Sequence, residues 1–213
     1  MPEIGPCQLA ANRLTSNRSH LVSILTFVFA FFLSSPIAFA QTPKTPLFNQ
    51  DSLKLISNQF KFTEGASVDR KGNVFFTDQP NNKIWEYSID GKLSIFLSPA
   101  GRANGTMFDK KGNLIVCADE HNQLWSINKD KQIKVLLSNY EGKTLNGPND
   151  IWVDAKGGIF FTDPYYQRDY WTRKSSELPS QSVYYVSKGS GKAVLVADDL
   201  KQPNGIVGTP DGN

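Results

Sequence analysis

A phrase of about forty residues recurs along this chain, and a repeat of that length narrows the possible folds more than any other feature. EGASVDRKGNVFFTDQPNNKIWEYSID (64–90) returns as ANGTMFDKKGNLIVCADEHNQLWSINKD (103–130) and as GPNDIWVDAKGGIFFTDPYY (147–166). It opens once more as QPNGIVGTPDGN (202–213). Each copy has one grammar: an inner strand, a D-x-x-G-type turn, an apolar strand, a polar turn, an aromatic-bearing strand, a second turn and an edge strand. Four antiparallel strands per unit make one blade of a β-propeller, because a single such unit cannot bury both of its faces.

The first copy predicts strands at 66–68, 74–77, 83–88 and 93–98, and the second at 106–108, 114–118, 123–128 and 133–138. The second strands, VFFT, LIVCA and IFFT, are nearly continuous apolar runs, as expected where neighbouring blades cover both faces. Trp85, Trp125 and Tyr184 occupy corresponding places in the third strands and read as inter-blade packing. The third copy carries a polar insertion, 167–181, with Pro179, which predicts an exposed loop. Its aromatic neighbours Tyr165, Tyr166, Tyr170 and Trp171 suit either the mouth of a pocket or a cap on the blade. The expected fold class is therefore all-β, a propeller with three and a fraction of its blades present, and the chain reads as part of a longer ring.

Before the repeats, Arg13, Arg18 and His20 precede an apolar run, 21–33, and then Ala38-Phe39-Ala40. This is the pattern of a secretory signal peptide, and the run is too short for the roughly twenty residues a membrane-spanning helix needs. The expected organisation is a signal peptide at 1–40, an N-terminal segment with a ring-closing strand at 41–59, and an incomplete propeller at 60–213. An exported protein follows, periplasmic or extracellular, with no stable membrane anchor after cleavage. Cleavage removes Cys7 and leaves Cys117 alone in an apolar strand, where a buried, inert thiol is expected. The formal net charge is +3, with basic residues spread through turns such as Arg70-Lys71 and Lys110-Lys111. No nucleic-acid partner is expected from that distribution.

Chemistry is most concentrated just before each inner strand, at Glu64-Gly65, Asn104-Gly105, Asn149-Asp150 and Asn204-Gly205. Asn-Gly is a frequent hairpin turn, yet these dipeptides follow the long connection from the preceding blade, which places them toward the central channel. Asn146-Gly147 lacks that placement and reads as an ordinary turn. If Glu64, Asn149 and Asn204 converge, one carboxylate and two amide oxygens form a hard donor set, suited to Ca²⁺ or Mg²⁺. One negative charge leaves half of a divalent ion unneutralised, so a further carboxylate is called for.

Taken in order, EGA, ANGTMFDKKGNLIVC, GPNDIWVDAKGGIFFTDP and PNGIVGTPDG resemble the gluconolactonase, senescence marker protein and luciferin-regenerating enzyme-like family of six-bladed propellers. The likeness runs from about Phe62 onward. It implies that Glu64, Asn149 and Asn204 are metal ligands, with Ca²⁺ the first choice of divalent ion and Mg²⁺ or Zn²⁺ as alternatives. The family's fourth ligand, an aspartate in a later D-G-M-like segment that is also a candidate catalytic base, falls past Asn213. Asn104, Glu120, His121 and Asp163 become substrate-binding candidates. The run ADEHN departs from the C-x-H-G-x-R-R-like pattern of some members. Asp163 also has a second reading, because Asp78 in FTDQ and Asp119 in CADE stand at the matching place in their copies and three recurrences suggest a turn-capping aspartate. His121, in a polar turn, is a solvated turn residue or a base.

The implied function is an exported, metal-dependent hydrolase acting on a small sugar lactone, with the chain as it stands expected to be inactive for want of a base. A non-catalytic propeller that binds a carbohydrate or a protein partner explains the repeats as well, since a fold does not fix a function.

Overall fold

In the first copy of the repeat, β1 (Thr63–Val68), β2 (Val74–Asp78), β3 (Lys83–Tyr87) and β4 (Leu93–Leu97) pair in sequence order as one antiparallel sheet. The second copy does the same with β5 (Ala103–Phe108), β6 (Leu114–Ala118), β7 (Gln123–Ile127) and β8 (Ile133–Leu137). A two-stranded hairpin follows, β9 (Asn139–Tyr140) with β10 (Lys143–Thr144). The third sheet is β11 (Ile151–Val153), β12 (Ile159–Asp163), β13 (Ser182–Val186) and β14 (Ala193–Ala197). These are successive blades of a β-propeller. The computed structural model describes residues 53–209, so the expected leader and most of the 41–59 segment lie outside the described residues. Residues 53–56, expected to hold a ring-closing strand, are in no strand here, and Leu55 and Ile56 are exposed.

The D-x-x-G turns form by one mechanism in all three blades. Asp69 Oδ1 accepts the N–H groups of Lys71 at 2.8 Å and Asn73 at 2.9 Å. Asp109 repeats this with Lys111 and Asn113, and Asp154 with Lys156 and Gly158. An aspartate that bonds its own backbone two residues on holds the turn closed.

The core lies between blades, and β6 shows why its sequence is apolar throughout. Leu114, Val116 and Ala118 pack toward Phe75, Ile84 and Trp125, while Ile115 and Cys117 pack with Ile151, Ile159 and Phe161 of the third blade. Successive side chains of a strand point to opposite faces, so a strand between two blades must be apolar at every position. Complete burial of a Leu, Val or Phe side chain stabilises by about 1.5–3 kcal/mol, which makes these interfaces the main cohesive term. Trp85, Trp125 and Tyr184 are buried as expected, sitting opposite Phe76, Val116 and Phe161 in the sheet register. Cys117 is fully buried, and that burial pushes its thiol well above the ordinary range, which leaves it inert.

The inner strands begin earlier than the sequence predicts, at Thr63 and Ala103, because both are bulged near the start. In β1 the register jumps between Glu64 and Ser67, and in β5 between Ala103 and Thr106.

Candidate functional site

Those bulges are what position the candidate residues. An extra residue in one strand bends it and turns a side chain out of the regular alternation. Here the residues affected are Glu64 and Asn104, at the channel end of their blades. Glycine follows each because the inner strands touch backbone to backbone: a Cβ on Gly65, whose φ is +53°, would lie 2.2 Å from the Asn104 carbonyl oxygen. A Cβ on Gly105 would meet the Asn149 carbonyl oxygen at 2.6 Å. The Asn-Gly pairs therefore serve close strand approach, not hairpin reversal.

Hydrogen bonds between blades then fix the backbone at each candidate. Thr77 Oγ1 donates to the Asn104 carbonyl at 3.0 Å, and Thr162 Oγ1 donates to the Asn204 carbonyl at 2.6 Å. The Gly105 N–H donates to the Asn149 carbonyl at 2.7 Å, and Thr106 Oγ1 to the Gly65 carbonyl at 2.6 Å. Asp150, beside Asn149, accepts the Ile206 N–H at 2.9 Å and so ties the 204–207 segment to the third blade.

Glu64, Asn104, Asn149 and Asn204 all line one cavity of about 530 Å³, together with Asp150 and Thr106. Asn104 and Asn149 are only 4% and 6% exposed, yet neither side-chain amide has a hydrogen-bond partner among the described residues. The Glu64 carboxylate and the Asn204 amide also lack protein partners there. Their amide atoms are not sealed off but open onto the cavity, so polar groups with no protein partner face one shared space where a ligand can meet them. The donor set is all oxygen and amide, which fits a hard divalent cation better than one that prefers sulfur or imidazole. Its charge is incomplete: among the described residues no three His, Cys, Asp or Glu side chains cluster in metal-binding geometry, and Asp150 is engaged by Ile206.

The remaining candidates stand elsewhere. Asp163 does not line the cavity; it is fully buried, and its two carboxylate oxygens accept the N–H groups of Asn146 and Gly147, each at 2.8 Å. That geometry is the turn-pinning one of the two readings of Asp163. Burial pushes its carboxyl up to about 7, although the Gly147 and Asn146 N–H groups pull it back. Glu120 lies 3.8 Å from the Arg102 guanidinium and accepts from Asn82 Nδ2 at 3.2 Å, and it does not line the cavity either. His121 is exposed and stacks on Trp125, with ring centroids 5.3 Å apart, as a turn residue does.

Asp119 is not the counterpart of Asp78. The repeat offset places Asp119 opposite Gln79, in the matching 3₁₀ turns Gln79–Asn81 and Asp119–His121, and Asp78 opposite Ala118. Asp119 instead anchors the 167–181 insertion. Its Oδ2 accepts from Gln79 Nε2 at 3.1 Å, from Arg168 Nε at 2.9 Å and from the Tyr170 hydroxyl, while its carbonyl accepts from Trp171 Nε1 at 3.1 Å. Burial raises the Asp119 carboxyl against the pull of Arg168, and burial beside Asp119 raises the Tyr170 hydroxyl, which stays a donor. The insertion has no helix or strand, as expected, but it is packed, with Trp171 and Leu178 buried. Tyr165, Tyr170 and Trp171 thus cap the blades and do not line the cavity.

Sequence reasoning missed Asn146, which is fully buried and joins the same cluster. Its Nδ2 donates to the carbonyls of Asp163 at 3.1 Å and Ser180 at 2.9 Å. Nothing in Asn146-Gly147 distinguishes such a pivot from an ordinary turn.

Residues 62–213 match the family model for the SMP-30/Gluconolactonase/LRE-like region. The chain is 27% identical over 175 residues to the gluconolactonase of Zymomonas mobilis subsp. mobilis, a match covering 75% of this chain and 49% of that protein. It is 33% identical over 76 residues to the lactonohydrolase oryL of Aspergillus oryzae, covering 36% of this chain and 17% of that one. The solved structure of a gluconolactonase from Xanthomonas campestris superimposes with a TM-score of 0.67 at 27% identity, covering 70% of this chain and 52% of that one. The chain spans about half the length of the gluconolactonases it matches.

Proposed function

The chain belongs to the SMP-30/gluconolactonase/LRE-like family, and on that premise we propose that it contributes the cation-binding wall of an exported, metal-dependent hydrolase of a small sugar lactone. The observation that carries this reading is the convergence of four unpartnered oxygen-bearing side chains, Glu64, Asn104, Asn149 and Asn204, on one cavity. Gluconolactonase relatives supply the substrate class.

In this reading Glu64, Asn149 and Asn204 hold a divalent ion, Ca²⁺ by the hardness of the donors, with Mg²⁺ or Zn²⁺ as alternatives. A bound divalent ion supplies Lewis-acid polarisation of the lactone carbonyl. Glu64 contributes the charge, and the two amides contribute neutral oxygens whose orientation is set by the Thr162 and Gly105 hydrogen bonds to their backbones. Asn104, held by Thr77 and left without a side-chain partner, presents an amide that can orient a sugar hydroxyl. Asp150 is spent on the Ile206 N–H and acts as a strut, so the general base is assigned to no described residue.

Calorimetric titration of the full chain with Ca²⁺, in the parent and in Glu64→Gln, separates the readings, alongside lactone hydrolysis measured with and without chelator. Metal binding by the chain that disappears in Glu64→Gln, with hydrolysis that disappears with it in a protein extended to carry the family's further aspartate, supports the hydrolase. Metal-dependent ligand binding without turnover in that extended protein supports the carbohydrate-binding alternative. Hydrolysis indifferent to both chelator and substitution rejects the metal mechanism.

A further inference from the structure

The basic residues that look scattered in sequence are gathered by the fold. Because each blade places its D-x-x-G turn at the same end of its inner strand, the turns line up at the far end from the cavity residues. About five residues separate Glu64, Asn104 and Asn149 from Asp69, Asp109 and Asp154, or roughly 16 Å of strand. Adjacent turns are tied together: Arg70 Nη2 donates to the Lys110 carbonyl, and Lys110 Nζ donates to the Ala155 carbonyl. Between the second and third blades a groove of about 560 Å³ opens at this end. Lys110, Lys111, Lys134, Lys156 and Lys188 all line it, over a floor that includes Ile115 and Val153.

One carboxylate lines the groove against these five lysines, and it is already committed. Asp109 uses Oδ1 on the N–H groups of Lys111 and Asn113 and Oδ2 on Asn113 Nδ2. Among the described residues the ammonium groups of Lys111, Lys134, Lys156 and Lys188 have neither an ion-pair nor a hydrogen-bond partner. The chain's formal net charge is +3, so five lysines in one groove concentrate positive charge that is balanced elsewhere on the molecule. A concave site lined by one sign of charge over an apolar wall focuses its field outward and raises the local concentration of anions. A 560 Å³ groove lies within the range of roughly 300–1,000 Å³ typical of small-molecule sites.

We infer that this inter-blade groove is an anion-binding site, distinct from the Glu64 cavity, for a ligand carrying two or more phosphate groups. Lysine suits this chemistry as a compact charge with three donors that needs no fixed fork geometry. Lys110 holds the turns in register, while Lys111, Lys134, Lys156 and Lys188 reach the phosphate oxygens.

The test is calorimetric titration of the full chain with tripolyphosphate at low salt, with cosedimentation on phosphatidylglycerol vesicles as a second arm. Saturable binding is expected, weakened at least tenfold in the double variant Lys156→Gln, Lys188→Gln. A control pair, Lys92→Gln with Lys143→Gln, removes the same charge outside the groove and is expected to bind as the parent does. All four lysines are exposed, so melting temperatures stay close to the parent and folding does not confuse the result. Tripolyphosphate binding without vesicle binding assigns the phosphate to a soluble ligand. Vesicle binding alone, abolished in the same double variant, assigns it to a lipid headgroup. Absence of both, or equal loss in the control pair, overturns the site.

Discussion

Two places in this protein gather polar side chains from neighbouring blades, and they differ in what those side chains touch and in how open they are: Asp163 and Asp119 are buried, whereas at the cavity Glu64 is half-buried and Asn204 exposed. Beneath the 167–181 insertion, Asp163 meets two backbone N–H groups and Asp119 meets Gln79, Arg168 and Tyr170. At the cavity, Glu64, Asn104, Asn149 and Asn204 meet nothing from the described protein. An intramolecular hydrogen bond contributes only about 0.5–1.5 kcal/mol net, but stranding a buried partner costs about 1–3 kcal/mol. The satisfied cluster is therefore structure that holds a loop, whereas the cavity side chains are left free of protein partners and open to solvent.

That contrast breaks most visibly at Asp163. Asp163→Ala strands the N–H groups of Asn146 and Gly147, and chemical denaturation is expected to show a loss of roughly 2–5 kcal/mol with Ca²⁺ affinity kept. The folded-state carboxyl lies near 7, above the unfolded value, so its contribution is greatest in acid. Parent stability relative to Asp163→Asn should fall as pH rises from about 4 to about 7 and then level off; the opposite slope would mean the carboxyl is ionised throughout. Glu64→Gln is the mirror image: Ca²⁺ affinity is expected to drop about 100-fold, or about 2.7 kcal/mol, while the metal-free melting temperature stays put. A large change in that melting temperature would put Glu64 with the structural cluster. Asn149→Ala should weaken Ca²⁺ about tenfold by titration and leave stability nearly unchanged, because its amide opens onto the cavity and has no hydrogen-bond partner in the protein. Tyr170→Phe is the smallest, about 1 kcal/mol, since Asp119 Oδ2 keeps Arg168 and Gln79.

Much of the cavity was legible before any coordinates. The inner polar positions stand at one place in every repeat, and a propeller sends that place to its axis, so Glu64, Asn104, Asn149 and Asn204 could be named together. Where the structure places residues differently, the causes are specific. Matching FTD to CAD by eye aligned Asp119 with Asp78, whereas counting from the turn glycines Gly72 and Gly112 pairs it with Gln79. Glu120 and His121 are near the same turn in sequence, but that turn faces Arg102 and Trp125, not the cavity. Asn146 was read as a plain turn because its partners, Asp163 and Ser180, are distant in sequence.

Blade number, strand order, the turn mechanism and the residues aimed at the axis follow from the repeat itself, because local hydrogen bonding and two-residue periodicity act within one copy. What the copies do to each other is decided only in three dimensions. The bulges that turn Glu64 and Asn104 toward the cavity, the Asp119 anchor of the insertion and the gathering of lysines from separate turns all depend on how adjacent blades meet. Electrostatic and hydrogen-bond partners are chosen by distance in space, and a one-dimensional pattern does not encode that distance across the gap between blades.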